Sequence, residues 1–278
     1  MLAESRIYSF IDQAEGFTLH FFEGQKIIHD LLMAQNVKGE GFHFFRDATL
    51  SLQHLISFLK PGEGFGVYID SEEPYLRLKL EMSDQGQMRA LILPSELTSF
   101  PKSMTGILRT VKLLPGEKTP YTSMIKFQDE SFDELTNKLF KESYQFESKI
   151  FLSENSDQSV MLMKLPAINV NKVETHYRYS LEEYYQQKKK QIDELHAKHE
   201  ASYEEIQSHF EQSGLTYLGS KEIQFKCNCS KERMLFGLWN LIKSSGIDNV
   251  FHEGEEEITT KCDYCNTEYV MKRSEFLN

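Results

Sequence analysis

Cysteine, tryptophan and proline are scarce in this chain. Its 278 residues include four cysteines, one tryptophan and seven prolines. Four cysteines, set in two close pairs, fit a reducing cytoplasm better than a secreted disulfide scaffold. No stretch approaches the roughly eighteen consecutive apolar residues that a membrane-spanning helix needs. The first residues include Glu4 and are not followed by a long apolar run. We therefore expect neither a secretory signal nor a membrane partner.

An excess of basic residues is also missing, since the formal net charge is -11. Proteins that bind nucleic acid without regard to sequence need a net or clustered excess of Lys and Arg. The chain contains no phosphate-binding loop, nucleophile elbow or dinucleotide fingerprint. Gly62, Gly64 and Gly66 lack the dinucleotide spacing and do not open a helix. We expect neither an enzyme nor a nucleic-acid partner.

Residues 1–170 have the pattern of an α+β domain with mostly antiparallel strands. The dense apolar run at 17–22 predicts a buried strand, and 25–35 predicts a helix. Apolar and polar side chains alternate over 75–82, which predicts a strand with one solvated face. Asp47 is placed as an N-cap of the second helix, and Ser131 as an N-cap of a later one.

Residues 171–220 are predicted to form a charged helical linker. The stretch 179–212 contains neither proline nor glycine, and the sequence around Ser180 has the form of a capping box. We predict one long helix or two in series, with weak tertiary anchoring, because the apolar seam is thin. That seam consists of Leu181, Tyr184, Ile192, Leu195, Tyr203, Ile206 and Phe210.

Residues 221–278 are predicted to form a small zinc-binding domain made of one helix and a β-hairpin. Its four cysteines, Cys227, Cys229, Cys262 and Cys265, form two close pairs typical of a tetrahedral thiolate site. Residues two apart in an extended chain project to the same face, so even the tight first pair can reach one ion. Ser230 is placed as the N-cap of the helix, and 257–261 pairs with 268–272. A module of this size needs the metal to remain folded.

The spacing leaves two interpretations of this site open. The ion is either a permanent staple or a clamp that oxidants release, because thiolates are the form that oxidants attack. A direct Cys227–Cys229 bond would close a very small ring and would be strained and easily reduced.

The tail resembles the redox-switch domain of the 33-kilodalton redox-regulated heat-shock chaperones. The likeness consists of Cys-x-Cys-Ser at 227–230, the basic-acidic-basic start of the helix, and Cys-x-x-Cys-Asn at 262–266 followed by Tyr269. Weaker likenesses lie at 61–66 and 119–121. The order of an α+β domain, a helical linker and a zinc domain also agrees with that family.

The resemblance implies an ATP-independent holdase that is inactive while Zn²⁺ is bound. Oxidation would form Cys227–Cys229 and Cys262–Cys265 disulfides, release the metal and unfold the tail and linker. Unfolding client proteins would be its partners, with a homodimer on activation. Tyr184, Tyr185, Ile192 and Phe210 are then candidates for client contact. Two other classes remain as alternatives, a zinc-ribbon nucleic-acid-binding protein and a static zinc-stapled scaffold.

Overall fold

The computed structural model describes residues 2–166, 169–170, 173–174, 178–198 and 201–277. The chain divides into two compact units, Met1–Phe225 and Lys226–Asn278. The separation of a linker at 171–220 from a domain at 1–170 stays a prediction. Parts of that linker, at 171–172, 175–177 and 199–200, lie outside the described residues.

The elements of both units follow in chain order. The helices are α1 Gln25–Gln35, α2 Glu40–Leu52, α3 Phe132–Tyr144, α4 Leu181–His196, α5 Tyr203–Gln212 and α6 Lys231–Ser245, with short 3₁₀ helices at Gln53–Phe58, Ile247–Asn249 and Arg273–Phe276. The strands are β1 Arg6–Asp12, β2 Phe17–Glu23, β3 Lys38–Gly39, β4 Gly64–Glu73, β5 Tyr75–Ser83, β6 Gln87–Leu93, β7 Glu96–Leu97, β8 Met104–Leu113, β9 Tyr121–Glu130, β10 Ser148–Leu152, β11 Gln158–Lys164, β12 Asn169–Val170, β13 Val173–Glu174, β14 Thr216–Glu222, β15 Gln224–Phe225, β16 Glu257–Lys261 and β17 Glu268–Lys272.

Two larger sheets form the frame of the Met1–Phe225 unit. A five-stranded antiparallel sheet has the order β10-β11-β2-β1-β14, and a six-stranded sheet has the order β15-β6-β5-β4-β8-β9. In the six-stranded sheet only β15 runs parallel to its neighbour, β6. The short pairs β3–β7 and β12–β13 complete the unit. The predicted α+β class with mostly antiparallel strands is confirmed.

The main core of this unit contains side chains from α1, α2, α3 and both larger sheets. Leu76, Leu78 and Leu80 of β5 are buried in it, whereas Arg77 between them is exposed. The alternation seen in the sequence therefore reports a strand with one buried face, as predicted. The predicted bounds of α1 are also confirmed, because its apolar side chains recur at helical spacing.

Strand β2 is buried along its whole length because its sheet is covered on both faces. Phe22 points into the main core, while Phe17, Leu19 and Phe21 point into a second apolar cluster. Helices α4 and α5 contribute the other half of that second cluster. We call the sheet side of it the linker-covered face. It consists of Tyr8, Phe10, Phe17, Leu19, Phe21, Val160 and Leu162.

The weak anchoring predicted for the linker helices is wrong in this structure. Leu181, Tyr184, Ile192, Leu195, Ile206 and Phe210 are all buried, and of the seam residues only Tyr203 is exposed. The seam is thin in sequence, but it meets an apolar sheet face instead of water. Burying a large apolar side chain contributes about 1.5–3 kcal/mol. The six buried seam residues therefore anchor α4 and α5 firmly.

The helix starts predicted at Ser131 and Ser180 are confirmed, and each has a capping box. Ser131 and Ser180 each accept a hydrogen bond from the backbone N–H three residues on, and the Glu carboxylate at that position accepts one from the backbone N–H of the serine. A third box at Ser202 separates α5 from α4, so the linker holds two helices. The N-cap predicted at Asp47 is wrong. Helix α2 already begins at Glu40, and Asp47 lies inside it beside Arg46, which donates to its carboxylate.

The Lys226–Asn278 unit consists of α6, the β16–β17 hairpin and short 3₁₀ turns. Ser230 caps α6 by accepting a hydrogen bond from the Arg233 backbone N–H at 3.3 Å, and Gly246 ends the helix. The hairpin has the predicted bounds, with Thr260 opposite Tyr269. The predicted helix-plus-hairpin tail is confirmed. Within the described part of the chain, no helix combines the length and apolar character that a membrane crossing requires.

Candidate metal centre

The four cysteines meet at one place in the Lys226–Asn278 unit. Their sulfur atoms all lie within 4.8 Å of one another. Two contacts join the first pair to the second, with Cys227 Sγ 3.7 Å from Cys262 Sγ and Cys229 Sγ 3.4 Å from Cys265 Sγ. Two segments more than thirty residues apart therefore supply one cluster, as the spacing predicts.

The size of this cluster fits a tetrahedral metal ion. A zinc–sulfur bond of about 2.3 Å in tetrahedral geometry places neighbouring sulfurs about 3.8 Å apart. The separations of 3.7 and 3.4 Å lie close to that value. Four sulfurs suit a thiophilic ion, of which zinc and iron are the usual examples. With four protein ligands no position is left for water, so the site is of the structural kind.

Local hydrogen bonds shape the second cysteine pair. The Asn266 backbone N–H donates to the Cys262 carbonyl at 2.8 Å, and the Cys262 N–H donates to the Thr267 carbonyl at 3.0 Å. Asn266 has a φ of 56°, in the left-handed region that asparagine tolerates better than most residues. This tight turn lies between β16 and β17, so the hairpin holds Cys262 and Cys265 on one side. Asn266 is therefore suited to its position in the turn.

The four sulfurs differ in their surroundings. Burial raises the pKa of the Cys262 thiol to about 12, although the backbone N–H groups of Tyr264 and Cys265 donate to it. Burial also raises the pKa of Cys265, but the hydroxyl and N–H of Thr267, together with contacts to Cys229 and Cys227, outweigh it and bring the pKa to about 7. Of these two thiols, Cys265 is therefore the easier one to deprotonate. A bound cation would hold all four as thiolates.

Two hydroxyl groups lie against the sulfurs. Tyr269 Oη is 3.0 Å from Cys229 Sγ, and Thr267 Oγ1 is 3.2 Å from Cys265 Sγ. The contact with the Cys229 sulfur is the first cause of the rise in the Tyr269 pKa to about 12. In the sequence, Tyr269 belongs to the motif around the second cysteine pair, but the motif does not predict this contact. A tyrosine four residues after a metal-binding cysteine is the signal that could have found it.

Apolar burial in this unit is small. Its cluster has three buried members, Phe251, Met271 and Phe276, with partly buried side chains around them. Helix α6 has no fully buried residue. At about 25 cal/mol per Å² so little buried surface leaves a narrow margin over the entropy of ordering the chain. The cysteine cluster is therefore the main structural centre of the unit.

The candidate client-contact residues lie in the Met1–Phe225 unit and not at the cysteine cluster. Tyr184, Ile192 and Phe210 are fully buried in the second apolar cluster, and Tyr185 is partly buried against Phe151 at 3.5 Å between ring centroids. All four help α4 and α5 to pack in the folded chain. Their predicted contact with clients stays a prediction.

A polar anchor beside these residues was missed by the sequence analysis. The Tyr184 hydroxyl donates to Asp12 Oδ2 at 3.0 Å while its ring stacks on Phe17 at 4.1 Å. Lys188 Nζ lies 3.6 Å from the same carboxylate and donates to the Ser213 carbonyl at 2.9 Å. No signal in the sequence links Asp12 to a residue 172 positions later. The anchor joins β1, α4 and the end of α5.

Comparison with known proteins agrees with this architecture. The family model described as Hsp33 protein matches residues 5–272. A 33 kDa chaperonin of Enterobacter sp. (strain 638) is 23% identical over 258 residues, covering 89% of this chain and 79% of the relative. One from Pseudoalteromonas translucida is 21% identical over 282 residues, covering 93% and 96%.

A solved structure shares the fold. The crystal structure of the 33 kDa chaperonin of Thermotoga maritima superposes with a TM-score of 0.70 at 17% identity, covering 99% of this chain and 97% of that one. The likeness therefore extends over the α+β unit, the linker helices and the cysteine-bearing tail. The match of the family model over nearly the whole sequence, together with the four clustered cysteines, shows that this chain belongs to the Hsp33 family.

Proposed function

We propose that this protein is an ATP-independent holdase that oxidation of zinc-bound cysteines activates. The observation that carries the proposal is the meeting of four cysteines within 4.8 Å in a small unit with little apolar core. Family membership supports the chaperone class. The proposal excludes an enzymatic role, and the comparisons do not favour the nucleic-acid-binding or static-scaffold alternatives.

In the reduced protein, Cys227, Cys229, Cys262 and Cys265 would hold Zn²⁺ as thiolates. The ion supplies the cross-link that keeps the Lys226–Asn278 unit folded. Structural zinc contributes about 10–16 kcal/mol in zinc-finger peptides at neutral pH. The net stability of a whole domain is only about 5–15 kcal/mol. The thiolates and their metal therefore decide whether this unit is folded.

Oxidation would remove the thiolate ligands of the metal. Two thiolates and one peroxide molecule give one disulfide and two hydroxide ions, so each disulfide takes two electrons from sulfur. We propose Cys227–Cys229 and Cys262–Cys265 as the pairs, following the family resemblance. A disulfide sulfur carries no negative charge and binds Zn²⁺ poorly. With the donors gone, the unit would lose its main stabilising contact and unfold.

Unfolding of the tail would reach the linker through the chain itself. Strand β15 ends at Phe225, two residues before Cys227, and pairs with β6 through only two residues. Strand β14 precedes it and lies at the edge of the five-stranded sheet. Edge elements with few partners are the first to fray when a neighbour unfolds. Residues 171–220 would then act as the releasable linker that the sequence predicts.

Release of α4 and α5 would expose the linker-covered face. That surface includes Phe10, Phe17 and Phe21, which are completely buried in the folded chain. Tyr184, Tyr185, Ile192 and Phe210 would be exposed on the linker side at the same time. Large apolar patches on a soluble protein bind other apolar surfaces. Both sides could therefore hold unfolding clients, and they could also pair two copies of the chain as a homodimer. We place the protein in the cytoplasm, where thiolates stay reduced until stress occurs.

One experiment tests the proposal as a whole. The zinc-loaded protein is treated with hypochlorite, or with peroxide under mild heating, while zinc release and suppression of client aggregation are followed together. We expect both to rise in parallel and to be reversed by a thiol reductant. A variant with all four cysteines replaced by serine should hold clients without oxidant, and any further change in it on oxidant treatment would report oxidation elsewhere in the chain. If zinc is lost but denaturing clients still aggregate, the protein is not a redox-activated holdase.

A further inference from the structure

The phenol of Tyr269 links the hairpin to the first cysteine pair. Its hydroxyl oxygen lies 3.0 Å from Cys229 Sγ, forty residues away in sequence. Tyr269 is placed there by its strand, β17, where it stands opposite Thr260. Its ring packs against the small apolar cluster of the unit. The ring is thus held by packing, and the hydroxyl is directed at the sulfur.

The direction of this hydrogen bond follows from the charge on the sulfur. A cysteine that binds a metal has lost its proton and can only accept hydrogen bonds. The phenol is therefore the donor whenever the site is loaded. A hydrogen bond to a charged acceptor is roughly twice as strong as one between neutral groups. The loaded site is the state in which this contact is strongest.

We propose that Tyr269 is a positioning residue of the metal centre, and that its O–H bond to Cys229 retains the metal and slows oxidant attack on that sulfur. This inference rests on the proposed function and names a further determinant of the same site. The hydrogen bond stabilises the negative charge of the thiolate. It therefore makes the electron pair of Cys229 less available to an incoming oxidant.

The chemical step shows where the phenol acts. With hypochlorous acid, the thiolate sulfur bonds to chlorine and hydroxide leaves, giving a sulfenyl chloride. A second thiolate then displaces chloride and the disulfide forms, so two electrons pass from two sulfurs to chlorine. Negative charge leaves the first sulfur during attack. A donor that favours charge on Cys229 consequently raises the barrier of the first step.

Thr267 provides an internal comparison at a different sulfur. Its hydroxyl lies 3.2 Å from Cys265 Sγ, only two residues away in sequence. Replacing this group should change the behaviour of Cys265 and leave Cys229 as it is. Tyr264 provides a second comparison, because its backbone N–H donates to Cys262 and remains in a Tyr264→Phe variant.

The experiment uses the full-length, zinc-loaded, reduced protein and the variants Tyr269→Phe, Thr267→Val and Tyr264→Phe. Zinc retention is measured by competition with a colorimetric chelator. Reactivity of each cysteine is measured by mass spectrometry after timed exposure to iodoacetamide, whose CH₂ carbon bonds to the thiolate sulfur as iodide leaves. Loading with Co²⁺ gives a third readout, since the sulfur-to-metal charge-transfer band reports the electron density on the thiolates.

We expect Tyr269→Phe to weaken zinc retention roughly tenfold, the lower range for losing a partner of a metal ligand. In this variant, alkylation of Cys229 should be several-fold faster than in the natural protein, and alkylation of Cys265 should change much less. The Co²⁺ band should also shift. Thr267→Val should accelerate Cys265 instead, and Tyr264→Phe should change neither. An unchanged Cys229 rate in Tyr269→Phe, or equal acceleration of all four cysteines, would overturn the proposal.

A second replacement covers the case in which Tyr269→Phe does not fold. Replacing Tyr269 by 3-fluorotyrosine keeps the ring and makes the hydroxyl a stronger donor, so Cys229 should react more slowly than in the natural protein. An equal or faster rate would refute the inference. None of these measurements uses a client protein. The role of Tyr269 can therefore fail while oxidation still activates the holdase, and oxidation can fail to activate it while Tyr269 still protects Cys229.

Discussion

Replacing Phe210 with alanine should release the linker helices without any oxidant. Phe210 is completely buried, with its ring centroid 4.9 Å from that of Phe10 and 5.7 Å from that of Phe21. Truncation of a buried Phe to Ala typically costs about 3–5 kcal/mol. Since about 1.4 kcal/mol is a factor of ten in an equilibrium constant, the population with α5 detached should rise roughly 100- to 4,000-fold.

Two assays on the reduced, zinc-loaded Phe210→Ala protein measure this release. Hydrogen exchange read by mass spectrometry should show faster exchange in α4, α5 and β14, with the main core unchanged. Aggregation of a thermally denaturing client should be partly suppressed, whereas the reduced natural protein should not protect it. Phe236→Ala on α6 is the matched control, because Phe236 is 69% exposed and its truncation should have no effect.

The two assays separate release of the linker from binding of clients. Suppose that exchange in α4 and α5 accelerates as expected but no client is held. The linker-covered face would then not be the surface that binds clients. If exchange does not accelerate, the packing of Phe210 does not hold the linker, and its burial on the sheet is not what keeps the protein inactive.

Three further predictions concern the anchor, a buried carboxylate and the metal. Tyr184→Phe removes the hydroxyl that donates to Asp12. Loss of one partner in a buried hydrogen bond should lower the free energy of unfolding by about 1–3 kcal/mol, measured by urea unfolding. Burial raises the pKa of Glu23 to about 7, although Gln158 and a backbone N–H donate to it. Because the folded pKa lies above the unfolded value near 4.5, the protonated form favours the fold, and this contribution is full below pH 4.5 and lost as pH rises through 7. Glu23→Gln should therefore gain up to about 3 kcal/mol relative to the natural protein at pH 8 and little at pH 4, measured by urea unfolding at both. Removal of zinc by a chelator should shift the fluorescence of Trp239, the only tryptophan of the chain, to longer wavelength as the tail unfolds.

Each of these three predictions has a result that would contradict it. An unfolding free energy of Tyr184→Phe equal to that of the natural protein would mean that the contact with Asp12 contributes nothing net. Equal gains for Glu23→Gln at pH 4 and pH 8 would mean that charge burial is not the cause. If Trp239 keeps its emission after chelation, the small apolar cluster suffices to fold the unit, and the metal is not its main support.

The local elements and the chemistry of the cysteine site could be predicted from the residues alone. Capping boxes at Ser131 and Ser180 fixed helix starts because their hydrogen bonds join residues three apart. The hairpin around Cys262 and Cys265 was predicted with its observed bounds, since turn and strand preferences act over a few residues. The pairing of Cys-x-Cys with Cys-x-x-Cys predicted one cluster because few other arrangements satisfy four thiolates.

Which surfaces these elements bury depends on packing between distant parts of the chain and could not be predicted from the residues alone. The pairing of β1 with β14 joins residues about two hundred positions apart, and the residue pattern of neither strand identifies the strand it pairs with. The thin seam of α4 and α5 looked weak because the sequence does not show that an apolar sheet face lies beneath it. The contacts of the Tyr184 hydroxyl with Asp12 and of the Tyr269 hydroxyl with Cys229 were likewise not evident from the sequence. Hydrogen-bond partners far apart in sequence are set by how the sheets and helices pack, and that is a property of the whole fold.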